Sequence, residues 1–165
     1  MIITSCRTEF GWVAIAAPEA GLVELTLPQA SMMDTLRQLR ERHGSGEPDE
    51  GRLASLKAGL QAYFRGEEVS FDEWALDTRS GTPFRRRVWE ITRAIPRGQT
   101  RTYGEVALAA GSPEAARAVG QSMARNPWPI IVPCHRVVGS NGRLTGFRGG
   151  LEMKQRLLEM EGAKI

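Results

Sequence analysis

The segment TYGEVALAAGSPEAARAVGQSMARN, residues Thr102–Asn126, predicts two short helices separated by Gly111-Ser112-Pro113. Ser112 is a candidate N-cap, and Pro113 suits the first position of the second helix. Two helices joined by a short turn are typical of a helix-turn-helix, in which the second helix enters a groove of DNA. Two small helices packed in a core would use the same alanines, so the pattern alone leaves both interpretations open.

The residues before this segment predict a third helix and, earlier, a mixed α/β region. Thr82-Pro83 opens the helical segment FRRRVWEITRAI with proline at an early position. A domain boundary is predicted near Thr78 to Gly81. Before it, three apolar runs between turn residues predict antiparallel strands: MIITSC, WVAIAA and LVELTL. Two helices follow them, MMDTLRQLRER behind a Ser31 cap and LASLKAGLQAYF up to Arg65-Gly66, and then the extended stretch VSFDEWALDT.

The composition is that of an ordinary globular chain, with 165 residues of which 41% are hydrophobic. No apolar run reaches about 18 residues and the N-terminus has no signal-peptide pattern, so we expect no membrane span and a cytoplasmic location. Cys6 and Cys134 lie far apart, which argues against a disulfide framework. Pairing Cys6 with His43 would supply only two of the four ligands of a structural zinc, so we expect no metal site.

Basic residues are concentrated in the second half of the chain, although the net charge is only +3. This half is suited to binding a polyanion, and a solvated basic face is the alternative. The arginines concerned are Arg85, Arg86, Arg87, Arg93, Arg97, Arg101, Arg117, Arg125, Arg136, Arg143 and Arg148.

Cys134 lies in the apolar run WPIIVPCHRVV, where Pro133 makes a long strand unfavourable. A cysteine beside a histidine is often structural, but the proline, basic side chains and Gly-rich loop around Cys134 favour a partly accessible, electropositive thiol. His135 would reach the sulfur through a water, as general base or as proton carrier. Glu161, predicted on the last helix, is the candidate carboxylate that orients the imidazole and favours its imidazolium form. A surface glutamate is the alternative.

These motifs resemble the O6-alkylguanine-DNA alkyltransferase family: Val88-Trp89, TYGEVA from Thr102, ARAVG from Ala116, NPWPIIVPCHRVVG from Asn126, and LLEMEG near the end. The resemblance is close over Thr82 to Gly162. It implies an α+β fold with an RNase H-like α/β domain at 1–78, followed at 79–165 by a helical C-terminal domain with a winged helix-turn-helix. Some members of this family are fused to a further domain, which a chain of 165 residues is too short to carry, so we expect the stand-alone form.

The resemblance implies DNA repair by irreversible transfer of an alkyl group from guanine O6 to Cys134, in a single turnover, with O4-alkylthymine as an open second substrate. His135 corresponds to the relay histidine, Glu161 to the carboxylate behind it, and Asn126 to the asparagine that braces them. Tyr103 corresponds to the tyrosine that binds guanine N3 and protonates the leaving base.

A nucleotide stacked in a duplex must be flipped before its alkyl carbon can meet a buried sulfur. The resemblance makes Arg117 the finger that fills the vacated stack in the minor groove. Residues expected on the DNA interface are Tyr103, Arg117, the small residues Ala115, Ala116, Ala118 and Gly120, the phosphate contacts Arg85 and Ser112, and the loop residue Ser140. Residues expected around the flipped base are Met123, Val137, Phe147, Arg148 and Gly149. At Arg148 some relatives have serine, so only its backbone N–H is expected to act.

The partner implied is double-stranded DNA that contains O6-alkylguanine, bound by a monomer, with cooperative binding left open and no cofactor required. Three other classes are weighed against this one. A non-catalytic alkyltransferase-like module replaces the acceptor cysteine, which is present here as Cys134. A helix-turn-helix regulator and a Cys/His hydrolase leave Tyr103, Arg117 and Asn126 unexplained as a set.

Overall fold

Residues 1–18 and 21–164 are described by a computed structural model, in which the chain divides after Thr78 into two compact units. The elements of the first unit are β1 (Ile2–Thr8), β2 (Gly11–Ala17), β3 (Glu24–Leu25), α1 (Met32–His43) and α2 (Ala54–Phe64). Those of the second are α3 (Pro83–Arg93), β4 (Arg101–Thr102), α4 (Tyr103–Ala109), α5 (Ala116–Ala124), β5 (Val137–Val138) and α6 (Leu151–Met160), with 3-10 turns at Cys134–Arg136 and Ser140–Gly142.

The three strands of the first unit form an antiparallel sheet in the order β1-β2-β3, as predicted from the apolar runs. The hairpin between β1 and β2 closes at the pair Thr8 and Gly11. Gly11 has φ 127, and a Cβ at this position would lie 2.6 Å from the Gln29 carbonyl oxygen. Only glycine therefore fits this turn, because both the positive φ and the close backbone exclude a side chain.

Helix α1 packs on this sheet and begins as the sequence predicts, with the Ser31 hydroxyl accepting from the Asp34 N–H at 3.1 Å. Its Leu36 and Leu39 share a buried cluster with sheet residues. Residues three apart on a helix lie on one face, and alternate residues of a strand lie on one face of the sheet. The apolar face of α1 therefore packs on the apolar face of the sheet. The predicted α2 is also confirmed, and it ends at Phe64.

The second unit is built around α3, whose predicted start is confirmed. The Thr82 hydroxyl accepts from the Arg85 N–H at 3.2 Å, and Pro83 occupies the first turn. Trp89 of α3 donates its indole N–H to the Ser122 carbonyl at 2.9 Å and meets Trp128 edge to face, with ring centroids 5.2 Å apart. This buried pair joins α3, the end of α5 and the segment that leads to Cys134.

The start of α5 differs from the prediction. The helix begins at Ala116, with Ala115 as its N-cap and no side-chain cap, so Ser112 as cap and Pro113 as first helical residue were wrong. The Ser112 carbonyl instead accepts from the Ala115 N–H at 2.9 Å, which makes residues 112–115 a turn. Proline suits the second position of such a turn as well as it suits a helix start.

Strands β4 and β5 pair in parallel, Arg101 with Val137 and Thr102 with Val138. This pairing places the residues directly after Cys134 beside the start of α4. In the part of the chain that the structure describes, no helix is long and apolar enough to span a bilayer.

Candidate active site and nucleic-acid interface

Cys134 begins a 3-10 turn that follows an irregular, strained segment. Ile130 has φ 78, a left-handed conformation that is unfavourable for a β-branched residue. The Val132 N–H donates to the Trp128 carbonyl at 2.8 Å, and the Cys134 N–H donates to the Val132 carbonyl at 2.7 Å. The prediction that Pro133 prevents a long strand here is confirmed, since the tight local bonds replace a sheet ladder.

Asn126 braces this segment from the end of α5. It is buried, its Nδ2 donates to the Val132 carbonyl at 2.8 Å, and its Oδ1 accepts from the Trp128 N–H at 3.0 Å. A hydrogen bond between the Asn126 side chain and Cys134 acts to lower the pKa of the thiol. Asn126 therefore both holds the backbone that precedes Cys134 and favours the thiolate form of this residue.

The Cys134 thiol is more buried than the sequence predicts, with 8% of the residue exposed. Burial raises its pKa above the ordinary value, and the charges of Arg148 and Lys154 offset part of this effect. The expectation of a partly accessible thiol was therefore wrong, because the apolar segment on both sides of Cys134 folds inward. A thiol in this state needs a base before it can act as a nucleophile.

His135 and Glu161 form a fully buried pair, with His135 Nε2 2.8 Å from Glu161 Oε2. Glu161 is the residue directly after α6, not within it. Burial lowers the pKa of His135, and the charges of Arg136 and Lys154 lower it further, against the opposing effect of Glu161. Glu161 does favour the imidazolium form, as expected from the sequence, but burial opposes it more strongly, so the pKa of His135 lies below its ordinary value.

Two cations of this site were not assigned a role from the sequence. Arg136 binds both oxygens of Glu161, with Nε to Oε1 and Nη2 to Oε2 each at 2.9 Å. Lys154 is fully buried and donates to the carbonyls of Val137 at 2.8 Å and Thr145 at 2.9 Å. A signal for Lys154 does exist, because Lys154, Leu157, Leu158 and Glu161 follow the spacing of one helical face.

A cavity of about 900 Å³ lies beside the start of α4 and the first turns of α5. It brings together four of the predicted interface residues, Tyr103, Ala116, Arg117 and Gly120, with Ser140 across from them in its 3-10 turn. The full lining is Thr102, Tyr103, Gly104, Ala116, Arg117, Gly120, Gln121, Ala124, Gly139, Ser140, Asn141, Arg143 and Thr145.

Tyr103 connects this cavity to the buried cysteine site. Its hydroxyl donates to the Thr145 carbonyl at 3.4 Å, and Lys154 Nζ lies 5.9 Å from the centre of its ring. Lys154 in turn interacts electrostatically with Cys134. Arg117 is exposed on the first turn of α5. The cavity is thus lined by an exposed cation, Arg117, and by Tyr103, which Lys154 links to the Cys134 thiol.

The other predicted residues fall into two groups. Ala115 and Ala118 are half-buried around the first turn of α5, whereas Arg85 on α3 and Ser112 in the turn before α5 lie elsewhere on the second unit. Of the expected base pocket, Met123 and Val137 are buried, Phe147 is half-buried, and Arg148 and Gly149 are exposed.

Arg148 has a side-chain role that the sequence did not indicate. Its guanidinium donates to the carbonyls of Ala124 and Asn126, and so ties the loop before α6 to the end of α5. Among the described residues, no group of three His, Cys, Asp or Glu side chains could hold a metal ion. His43 contacts Glu24, with Nε2 2.8 Å from Oε1.

Comparison with known families gives two matches that together span most of the chain. Residues 1–78 match "6-O-methylguanine DNA methyltransferase, ribonuclease-like domain", and residues 83–163 match the "DNA binding domain" of the same family. A Bacillus subtilis protein named "Methylated-DNA--protein-cysteine methyltransferase, constitutive" is 40% identical over 159 residues, which cover 96% of this chain and 93% of that protein. A Mycobacterium tuberculosis methylated-DNA--protein-cysteine methyltransferase is 46% identical over 138 residues, covering 81% and 82%.

Solved structures agree with this assignment. The crystal structure of Mycobacterium tuberculosis OGT in complex with DNA has a TM-score of 0.81 and 40% identity, and covers 98% of this chain and 93% of that one. The O6-methylguanine-DNA methyltransferase of Pyrococcus kodakaraensis has a TM-score of 0.66 and 29% identity, with 98% of both chains covered. The predicted fold, a ribonuclease-like domain followed by a helical DNA-binding domain, is confirmed, and the chain belongs to the 6-O-methylguanine DNA methyltransferase family.

Proposed function

We propose that this chain repairs double-stranded DNA by taking the alkyl group from O6-alkylguanine onto Cys134. The observation that carries the proposal is that Cys134 adjoins the buried His135–Glu161 pair and interacts electrostatically with Lys154, which lies 5.9 Å from the ring of Tyr103 in the cavity wall. Relatives at 40–46% identity are named for transfer from methylated DNA to a protein cysteine. Residues 1–78 would form the ribonuclease-like domain, and residues 79–165 the DNA-binding and alkyl-acceptor domain.

His135 is the proposed acceptor of the Cys134 thiol proton. Glu161 accepts two N–H groups from Arg136, so it is an ionised acceptor, and we assign His135 Nε2 as a donor to it. His135 Nδ1 then carries the lone pair. The neutral histidine can therefore take the Cys134 proton, through a bridging water, at the moment the sulfur attacks.

The transfer itself is a displacement at the alkyl carbon. A bond forms between Cys134 Sγ and this carbon while the bond from the carbon to guanine O6 breaks, and the electron pair goes to the guanine. Tyr103 supplies the proton that neutralises the leaving base and becomes a phenolate, whose charge balances that of the His135 imidazolium until protons exchange with solvent. The thioether product has no thiol proton left to lose, so each chain reacts once.

The damaged nucleotide must leave the duplex to reach Cys134, because a stacked base cannot meet a buried sulfur. Arg117, exposed at the rim of the cavity, would enter the minor groove and fill the vacated stack. Ala115, Ala116, Ala118 and Gly120 would allow the α5 backbone to approach DNA closely. Arg85, Ser112 and Ser140 are proposed as contacts to the DNA backbone. Met123, Val137, Phe147, Arg148 and Gly149 are proposed to surround the base.

Intact-protein mass spectrometry tests the proposal, after one equivalent of duplex DNA bearing O6-methylguanine is mixed with the wild-type chain or with Cys134→Ala. We expect the wild type to gain the mass of one methylene and the variant to gain nothing, although the variant retains Cys6. Lesion binding without a mass gain would indicate a non-catalytic recognition module. Turnover of a soluble acyl substrate would indicate a hydrolase. A monomeric state and a cytoplasmic location stay predictions.

A further inference from the structure

Arg136 is the side chain that completes the buried network around His135. Its Nε and Nη2 bind the two oxygens of Glu161, and its Nη1 donates to the Ile95 carbonyl at 2.6 Å. All the N–H groups that reach these partners lie on one rigid plane, so the guanidinium fixes the carboxylate in position and in rotation. The side chain of Arg136 is 12% exposed, and that of Glu161 is fully buried.

One carboxylate oxygen of Glu161 contacts both His135 and Arg136. Glu161 Oε2 accepts from Arg136 Nη2 at 2.9 Å and contacts His135 Nε2 at 2.8 Å. Since Arg136 neutralises the carboxylate, His135 lies beside a pair with no net charge. Without the arginine, the fully buried carboxylate would keep its contact to His135 but carry an uncompensated charge there, which favours the imidazolium form of His135.

We propose that Arg136 is a positioning residue that holds Glu161 against His135 and keeps this histidine in its neutral, proton-accepting form. The inference rests on the proposed function, in which His135 receives the proton of Cys134. An imidazolium at this position has no lone pair with which to accept a proton, so it cannot act as the general base that the proposed function requires. Together with burial, Arg136 thereby extends the pH range over which the chain can react toward acid pH.

The charged groups that face His135 come from the α6 region and from the 3-10 turn that contains His135. Glu161 and Lys154 approach from the α6 region, and Arg136 from the same turn as His135. The segment after α3 contributes the Ile95 carbonyl to Arg136, and Arg97 donates to the Met160 carbonyl at 3.3 Å. The charge of Arg136 acts to lower the pKa of His135, and that of Glu161 acts to raise it. Removing Arg136 therefore changes both effects in the same direction.

The test measures the single-turnover rate of methyl transfer as a function of pH for the wild type and for Arg136→Met. We expect the acid limb of the profile to move to higher pH by about one unit or more, so that the variant is about tenfold slower in the acidic range. Arg156→Met removes the same charge from an exposed position of α6 and should leave the profile unchanged.

A direct measurement of His135 accompanies the kinetics. The chain has two histidines, so an NMR titration shows two imidazole signals, and His43→Gln identifies that of His135. We expect the His135 midpoint to rise in Arg136→Met. In Arg136→Lys the positive charge remains, so the midpoint should stay near that of the wild type while the maximal rate falls, because an ammonium cannot bind both oxygens in one plane.

A double variant covers the case in which Arg136→Met does not fold, since removing one partner of a buried ion pair is strongly destabilising. Arg136→Met/Glu161→Gln removes both charges, and its His135 midpoint should not exceed that of the wild type. The inference is wrong if Arg136→Met transfers with an unshifted acid limb and an unshifted His135 midpoint, or if the double variant shows a raised midpoint. Failure of the wild type to transfer methyl at any pH would instead contradict the proposed function.

Discussion

Lys154 is a fully buried ammonium next to the candidate nucleophile. It donates to the Val137 and Thr145 carbonyls, yet burial lowers its pKa to about 8, while its interaction with Cys134 acts in the opposite direction. The same charge acts to lower the pKa of the Cys134 thiol. A residue that is costly to bury therefore lies where it favours the reactive thiolate, as is common at functional sites.

The cost of burying Lys154 should appear as a pH dependence of stability. Between about pH 8 and 10.5 the unfolded state binds the proton more tightly, so wild-type stability gains from this residue as pH rises. The gain is complete above 10.5 and is lost as pH falls through 8. Relative to Lys154→Met, the wild type should gain about 1 kcal/mol per pH unit in this window, measured by urea unfolding.

The exposed Lys164 provides the control for this measurement. Lys164→Met should give a free energy of unfolding that runs parallel to that of the wild type at every pH. If Lys154→Met also runs parallel, the ammonium is not desolvated in the folded chain and its electrostatic role beside Cys134 is contradicted.

Asn126 holds the segment before Cys134 with both ends of its amide. Asn126→Ala removes the side-chain hydrogen bonds to the Trp128 N–H and to the Val132 carbonyl, which keeps its bond from the Cys134 N–H, so we expect a loss of about 1–3 kcal/mol in the free energy of unfolding. Methyl transfer should slow as well, because the thiol loses a hydrogen bond that lowers its pKa. Gln155→Ala removes an exposed amide from α6 and should be nearly neutral in both measurements; equal losses would contradict the bracing role.

At the scale of elements, the junction of β4 and α4 fixes the position of Tyr103. The Thr102 hydroxyl accepts from the Glu105 N–H at 3.0 Å, and the Glu105 carboxylate accepts from the Thr102 N–H at 3.3 Å. This capping box starts α4 directly after the pairing of Thr102 with Val138. Tyr103 is therefore held between a strand and a helix start, which restricts its position on the cavity wall.

Removing the cap should affect both stability and transfer. We expect Thr102→Ala to lower the free energy of unfolding by about 1 kcal/mol and to slow methyl transfer, because the first turn of α4 loosens around Tyr103. Thr102→Ser keeps the hydroxyl and should retain most of both properties. If Thr102→Ser and Thr102→Ala lowered the free energy of unfolding and the single-turnover rate equally, the effects would come from loss of the Thr102 methyl group and not from loss of the cap.

Elements that carry their own boundary signals were predictable from the sequence. Ser31 and Thr82-Pro83 cap α1 and α3 through residues within the same turn, so local sequence determines where these helices begin. Ser112-Pro113 was misleading, because the same residues suit a turn and a helix start. The pairing of β4 with β5 could not be predicted from the sequence. Strands of two residues show no hydrophobic periodicity, and the two strands are distant in the chain.

The candidate site was predictable to a different extent. The family motif predicts the roles proposed for Cys134, His135 and Glu161, but the lowered pKa of His135 depends on burial that no short motif encodes. Lys154 has the spacing of a buried helical face, yet its charge favours a surface interpretation. Its burial becomes reasonable only when the carbonyls of Val137 and Thr145 are known to converge on it.

On the scale of the whole molecule, charge is separated between the two units. Residues 1–78 contain 7 Lys and Arg against 13 Asp and Glu, a net charge of −6. Residues 79–165 contain 15 against 6, a net charge of +9. The overall value of +3 therefore hides a strongly basic unit, the one that contains Arg117 and Cys134. Such a distribution favours binding of a polyanion by the second unit only.

Salt dependence distinguishes this placement from a general effect of net charge. If Arg117 contacts the DNA, the logarithm of affinity for an undamaged duplex should fall linearly with the logarithm of salt concentration, and Arg117→Gln should reduce the slope by about one or less. Arg65→Gln removes an equal charge from the acidic unit, where Arg65 pairs with Glu67, and should leave the slope unchanged. Equal reductions, measured by fluorescence anisotropy over a salt series, would mean that net charge governs binding and that Arg117 does not lie on the DNA.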